Sequence, residues 1–266
     1  MRINLIGCGT MGEAILKAII RKKICSNQEI TVCEMLSDRR NRLGKKYGVT
    51  TTGDCKAFLD RADVVILAVK PQDVESVLQQ ITGLFKAQLF ISIAAGIKLD
   101  YLCTKLNYNQ VVRSMPNTPA RIGKGMTVWT GTVELETKNR EKARMILSSF
   151  GEELYFSDEK YLDMATALSG SGPAYIFLFI EALIDAGVHI GLSRDISQKL
   201  VLQTISGSVE MMEKLSKHPA ELRNMVTSPA GTTTVALLQM ESGGLRSLII
   251  TAVEAAYQKA KQLNSK

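Results

Sequence analysis

Histidine is nearly absent from this chain: His189 and His218 are the only two among 266 residues. They are too far apart in sequence for an HExxH zinc site, and no Ser-His or Cys-His arrangement announces a nucleophile. No nucleophile elbow or acidic metal cluster takes its place, so no metal site is expected. His189 falls near the end of an apolar stretch and His218 precedes Pro219; both read as structural. The cysteines (Cys8, Cys25, Cys33, Cys55, Cys103) are odd in number and form no CxxC pair. A disulfide framework is therefore excluded, and reduced thiols in a cytoplasmic protein are expected. No apolar run approaches the ~20 residues that span a bilayer, and a first strand starting at residue 3 leaves no room for a leader. Aromatics are sparse, at 6%. The densest basic stretch, Arg39-Arg40-Asn41-Arg42 with Lys45 and Lys46, has none interleaved. The net charge of +7 is thus read as a solvated helix face or a coenzyme phosphate contact, with no nucleic-acid or membrane partner.

What is present begins at the first line. Ile3, Leu5 and Ile6 feed directly into Gly7-Cys8-Gly9-Thr10-Met11-Gly12, and a helical pattern follows through Ile15, Leu16, Ile19 and Ile20. Strand, glycine-rich turn and helix in that order describe a dinucleotide site. Gly7 permits the tight turn, Gly9 the approach of a pyrophosphate, and Gly12 close helix packing. Cys8, inside the turn, is expected to be packed. Further strands are predicted at 29–34, 64–69, 90–95 and 111–115, with outer ones at 126–130 and 154–156. Alternation with helices predicts a mostly parallel α/β sheet with right-handed crossovers. From Lys160 onward no strand is convincing, and helices are predicted over 174–188, 195–215, 220–226 and 245–263, with another opened by Pro229-Ala230-Gly231. The chain therefore divides into 1–159, a Rossmann domain, and 160–266, an all-α domain. The latter carries more apolar surface than a small monomeric bundle needs, which suggests a dimer interface.

Ligands in such sheets bind at the carboxyl ends of the strands. These ends are small and stiff here: Ala68-Val69-Lys70-Pro71, Ala94-Ala95-Gly96 and Met115-Pro116-Asn117-Thr118-Pro119. Lys70 is placed to bond a ribose hydroxyl or a phosphate. Glu34, at the end of the second strand, suits the ribose 2′-hydroxyl of NAD, whereas Arg39 and Arg40 suit the 2′-phosphate of NADP. Both readings stay open. In the second half, Val226 to Thr234 (VTSPAGTTT) opens a helix whose free N–H groups suit a carboxylate. Ser228, Thr232 and Thr233 add hydroxyls; a hydroxyl-rich helix cap is the plainer alternative. Ser169-Gly170-Ser171-Gly172-Pro173 is a similar tract. With no acid–base dyad in view, hydride transfer to an already electrophilic carbon, such as an imine, fits best.

These residues resemble the pyrroline-5-carboxylate reductase family over essentially the whole chain. The likeness is carried by residues 7–12, 68–72, 92–96, 113–119, 167–175 and 226–241. The resemblance implies reduction of 1-pyrroline-5-carboxylate to L-proline with NADPH or NADH, and a helical domain interlocked with that of a partner in a dimer, often built further into a decamer. It also implies site roles. The substrate carboxylate would meet the backbone around Ser228, Ala230, Gly231 and Thr232, with the Thr233 hydroxyl near the ring nitrogen as the catalytic contact. The coenzyme would meet Ile6, Gly7, Gly9, Thr10, Met11, Glu34, Arg39, Val69, Lys70, Pro71, Ala95, Gly96 and Asn117. Four residues depart from the family pattern: Ala230 for a glycine, Cys55 for an asparagine, Ser216 for a glutamate, and Glu34 itself. Two other readings compete with this one. A β-hydroxyacid dehydrogenase needs a Lys and an Asn on the helix after Gly172, which reads PAYIFLFI. A non-catalytic nucleotide sensor is left open by the coenzyme motif alone.

Overall fold

Apolar residues in β1 (Ile3–Ile6), β2 (Ile30–Cys33), β4 (Val64–Leu67), β5 (Leu89–Ser92) and β6 (Val111–Met115) are buried on both faces of the strand. That burial is why β4 reads as a continuous apolar run. The structure, a computed structural model, describes residues 1–263. These strands, with β3 (Thr50–Thr52), β7 (Gly125–Gly131) and β8 (Gly151–Tyr155), form one eight-stranded sheet in the order β3-β2-β1-β4-β5-β6-β7-β8. The strands from β3 to β6 run parallel; β7 is antiparallel to β6, and β8 runs parallel to β7. β3 was not anticipated. It is a three-threonine edge strand, too short and polar to leave an apolar signature.

Successive side chains enter opposite cores. Leu5, Val32, Ile66 and Ile91 join α1 (Thr10–Arg21), α2 (Ser37–Tyr47) and α5 (Thr137–Leu147) on one face. Ile6, Cys33, Leu67 and Phe90 join α3 (Val74–Ile81) and α4 (Leu99–Leu106) on the other. The register aligns Ile6 with both Cys33 and Leu67, and Leu67 with Ser92. The strand ends therefore share one edge. The order reverses between β1 and β4, where such sheets open a crevice.

The remaining helices are α6 (Lys160–Ala165), α7 (Gly172–His189), α8 (Arg194–Leu215), α9 (Pro219–Met225), α10 (Thr232–Ser242) and α11 (Leu245–Leu263). The chain forms two compact units, one of Met1–Ser171 with the chain from Ala256 onward, the other of Gly172–Ala255. α6 packs on β6 and β7 and so belongs to the first unit. Arg113, buried in β6, holds Glu159 at 2.7 Å and Asp163 at 3.1 Å. A π-helical turn over Thr166–Gly170 follows, closed by the Ser171 N–H on the Thr166 carbonyl. It delivers Pro173 to the first turn of α7, where a missing N–H costs nothing.

The sequence shows no apolar run of spanning length, yet the continuous helix Lys160–His189 is long and apolar enough to cross a membrane by length and composition. In the second unit α7 and α8 form a hairpin so close that a Cβ on Gly187 would lie 2.6 Å from Ser197 Oγ. Ser193 caps α8 by accepting the Ile196 N–H. Only Ile184 and Ser197 are buried in this unit, while Phe177, Leu178, Leu238, Leu248 and Ile250 are exposed.

Candidate active site

The glycine turn is built by three different constraints. Gly7 has φ +86°, and a Cβ there would meet Val69 Cγ1 at 2.6 Å. Its N–H donates to the Cys33 carbonyl, which ties the turn to β2. A Cβ on Gly12 would lie 2.5 Å from the Gly7 carbonyl oxygen, so α1 sits directly on the turn. Gly9, the N-cap of α1, has nothing within 4 Å of its Cβ position. Open space above Gly9, with the first-turn amides of Thr10 and Met11 lacking helical acceptors, fits a pyrophosphate. Cys8 is buried, as expected, and burial pushes its thiol up to about 12; it is a packed, neutral group.

The other expected coenzyme residues lie on the same edge. Ile6 ends β1 and is buried. Val69, Lys70 and Pro71 follow β4, with Pro71 opening a 3₁₀ turn capped by Lys70. Ala95 and Gly96 follow β5, and Gly96 has φ +74°. Asn117 follows β6, but its side chain is largely committed. It donates to the Ser169 carbonyl at 3.1 Å and accepts the Met126 N–H at 2.9 Å. What it retains for a ligand is its second amide hydrogen, one Oδ1 lone pair and its backbone.

The basic stretch is not a freely solvated face. Arg42 and Lys46 on α2 grip Glu13 of α1 at 2.7 and 3.0 Å, and the Tyr47 hydroxyl donates to the same carboxylate. The Arg42 guanidinium, with Lys46 and Tyr47, holds Glu13 down at about 2. Arg40 donates to the carbonyls of Glu34 and Met35, both at 2.8 Å. Arg39 lies 3.3 Å from Glu34. Beside the turn a cavity of about 430 Å³ is lined by Gly9, Thr10, Lys17, Arg39, Arg42 and Arg121, among others. Lys17 and Arg121 were not anticipated. They lie far apart in sequence, and only packing brings them to one cavity.

The second group of expected residues occupies one turn of the other unit. Gly231 caps α10, and its N–H donates to the Ser228 carbonyl at 3.0 Å. A Cβ on Gly231 would lie 2.4 Å from Ser228 Oγ. Thr234 Oγ1 also donates to the Ser228 carbonyl. The amides of Thr232 and Thr233 start α10 and have no helical acceptors, while their hydroxyls add donors. Ala230 adopts φ +57°, the region that favours glycine, where the family pattern carries one.

No acid–base pair accompanies either group. His218 caps α9, its Nδ1 accepting the Ala220 N–H at 3.2 Å, and His189 ends α7 exposed. Among the described residues, no cluster of His, Cys, Asp and Glu is suited to a metal.

Comparison with known proteins places this architecture. Residues 159–263 match the sequence model described as pyrroline-5-carboxylate reductase dimerisation, and residues 2–96 match the one described as NADP oxidoreductase, coenzyme F420-dependent. The pyrroline-5-carboxylate reductase of Synechocystis is 41% identical over 266 residues, covering 100% of this chain and 99% of the relative. Among solved structures, that of Plasmodium falciparum pyrroline carboxylate reductase with NADP bound superimposes with a TM-score of 0.90 at 34% identity, covering 99% of this chain and 98% of that one. The Coxiella burnetii pyrroline-5-carboxylate reductase does so with a TM-score of 0.90 at 36% identity, covering 98% of each. The exposed apolar helices of the second unit thus lie within a dimerisation domain. The glycine turn, the matched dimerisation region and end-to-end likeness lead to one conclusion: the chain belongs to the pyrroline-5-carboxylate reductase family.

Proposed function

We propose that this chain reduces 1-pyrroline-5-carboxylate to L-proline, the last step of proline biosynthesis, using NADPH or NADH. The observation that carries this reading is the 41% identity, end to end, to a protein of that name. The functional division is 1–159 for the coenzyme and 160–266 for substrate and dimerisation. When bound, the nicotinamide coenzyme supplies a hydride to the C=N carbon.

The chain's own residues bind and orient. Ile6, Gly7, Gly9, Thr10 and Met11 receive the pyrophosphate. Glu34 and Arg39 meet the adenosine ribose. Val69, Lys70, Pro71, Ala95, Gly96 and Asn117 flank the nicotinamide half. The backbone from Ser228 through Ala230 and Gly231 to Thr232 holds the carboxylate, where the positive end of α10 favours an anion. The Thr233 hydroxyl steadies the proton on the ring nitrogen. An imine carbon is already electrophilic, so positioning does most of the work and the missing acid–base pair is no obstacle.

Replacing Thr233 with Ala is expected to lower kcat by roughly 10- to 10³-fold, the range for losing a donor at a reacting atom. Steady-state kinetics check this, and unchanged kcat and KM would remove Thr233 from the mechanism. Loss of reduced-coenzyme absorbance on adding pyrroline-5-carboxylate tests the reaction itself. A folded, coenzyme-binding protein that fails to oxidise the coenzyme would instead be a nucleotide sensor. The unpaired thiols of all five cysteines suit a reducing compartment, and we assign the chain to the cytoplasm as a dimer able to assemble into a decamer, without nucleic-acid or membrane partners.

A further inference from the structure

We infer that Glu34 makes this chain selective for the coenzyme without a 2′-phosphate, so that it binds NADH in preference to NADPH. The inference rests on the coenzyme reading above and goes beyond it, because the sequence offers an acid and two arginines for the same ribose.

The conformation of Glu34 distinguishes the two. The residue follows β2 directly, where dinucleotide folds meet the adenosine ribose, and is 7% exposed. Its carboxylate does not turn away to solvent. Oε2 accepts the N–H of Cys8, inside the glycine turn, at 3.3 Å, and Oε1 accepts the N–H of Leu36 at 3.1 Å. Two backbone donors, one on each oxygen, fix its direction, and Arg39 adds a third contact at 3.3 Å. A carboxylate has about four lone-pair sites, so one remains to accept a ribose hydroxyl. A phosphate monoester near −2 in the same place would face a buried, like-charged group that cannot leave without stranding two backbone amides.

The cations nearest Glu34 already have partners. Arg39 is paired with Glu34. Arg40 spans the Glu34 and Met35 carbonyls, and a Cβ on Gly53 would lie 3.0 Å from its Nη1. Its Nη1 braces the loop. Arg42 and Lys46 are held by Glu13. Lys17 and Arg121 remain in the neighbouring cavity, and a phosphate seated there is the rival outcome.

Calorimetric titration of the assembled, full-length protein with NADH and NADPH, without substrate, tests the inference. The Kd for NADPH is expected to be about 10- to 100-fold weaker, the scale of a like-charge contact a few ångströms apart. Glu34→Gln, which keeps the shape and removes the charge, should narrow the ratio by at least about tenfold. Wild-type protein that binds NADPH as tightly as NADH, or more tightly, overturns the inference whether or not the variant folds. So does a folded Glu34→Gln with an unchanged ratio. Because no substrate is present, failure here is separate from failure of the reductase reading. A protein that selects NADH yet does not oxidise it with pyrroline-5-carboxylate supports this inference and defeats that reading.

Discussion

Ala230 holds a conformation that its own side chain opposes. At φ +57° the β-carbon crowds the backbone, at a cost of roughly 1–2 kcal/mol that glycine does not incur. The position precedes the cap of α10, so the strain sits in the turn proposed to hold the substrate carboxylate. Glycine also gains freedom when unfolded, which offsets part of the relief. Ala230→Gly should therefore stabilise the protein by about 0.5–1 kcal/mol, read as a rise in the urea midpoint. A fall in that midpoint would mean that the methyl contributes packing worth more than the strain. At Gly231 the opposite holds, since a side chain there would strike Ser228.

Between elements, the pairing of α1 with α2 depends on one carboxylate. Glu13 receives Arg42, Lys46 and Tyr47 together, and the Arg42 hydrogen bonds in particular hold it at about 2, below its ordinary 4.5. A carboxylate depressed in the folded state contributes stability that is complete above about pH 4.5 and is lost as the pH falls toward about 2. Unfolding free energy measured against pH should show the gap between wild type and Glu13→Gln closing across that window. A gap that stays constant would show that the clasp acts through shape and not charge. The Arg113 cluster joins β6 to α6 in a related way, with a buried guanidinium serving Glu159 and Asp163.

Taken as one assembly, the chain is two units of unlike character. The sheet unit buries two full cores, whereas the Gly172–Ala255 unit buries only Ile184 and Ser197. A helical unit with so little interior has too little apolar burial to offset its ordering entropy. It lies within the matched dimerisation domain, so part of its stability is expected from a partner. The thermal midpoint should accordingly rise with protein concentration. Leu178→Glu, a charge on an exposed face of α7, should yield monomers with reduced helicity, as read by sedimentation and circular dichroism. A monomeric, fully helical Leu178→Glu would show that the unit stands alone.

Local chemistry was readable directly from residue order. The glycine turn, the apolar strands and the hydroxyl-rich start of α10 each depend on residues a few positions apart, and short-range sterics and hydrogen bonding fix them wherever they occur. Ala230 stood out only against the family resemblance, and its φ of +57° came from the structure. Long-range packing settled the rest. β3 forms because β2 offers it a ladder, not because three threonines demand a strand. The first unit extends to Ser171 because Arg113, distant in sequence, captures Glu159 and Asp163. Glu34 and its neighbouring arginines could not be ranked in the linear chain, since each alone suits a different ribose. The direction of that carboxylate depends on the Cys8 amide, 26 residues away, and such a contact exists only once β1 and β2 lie side by side.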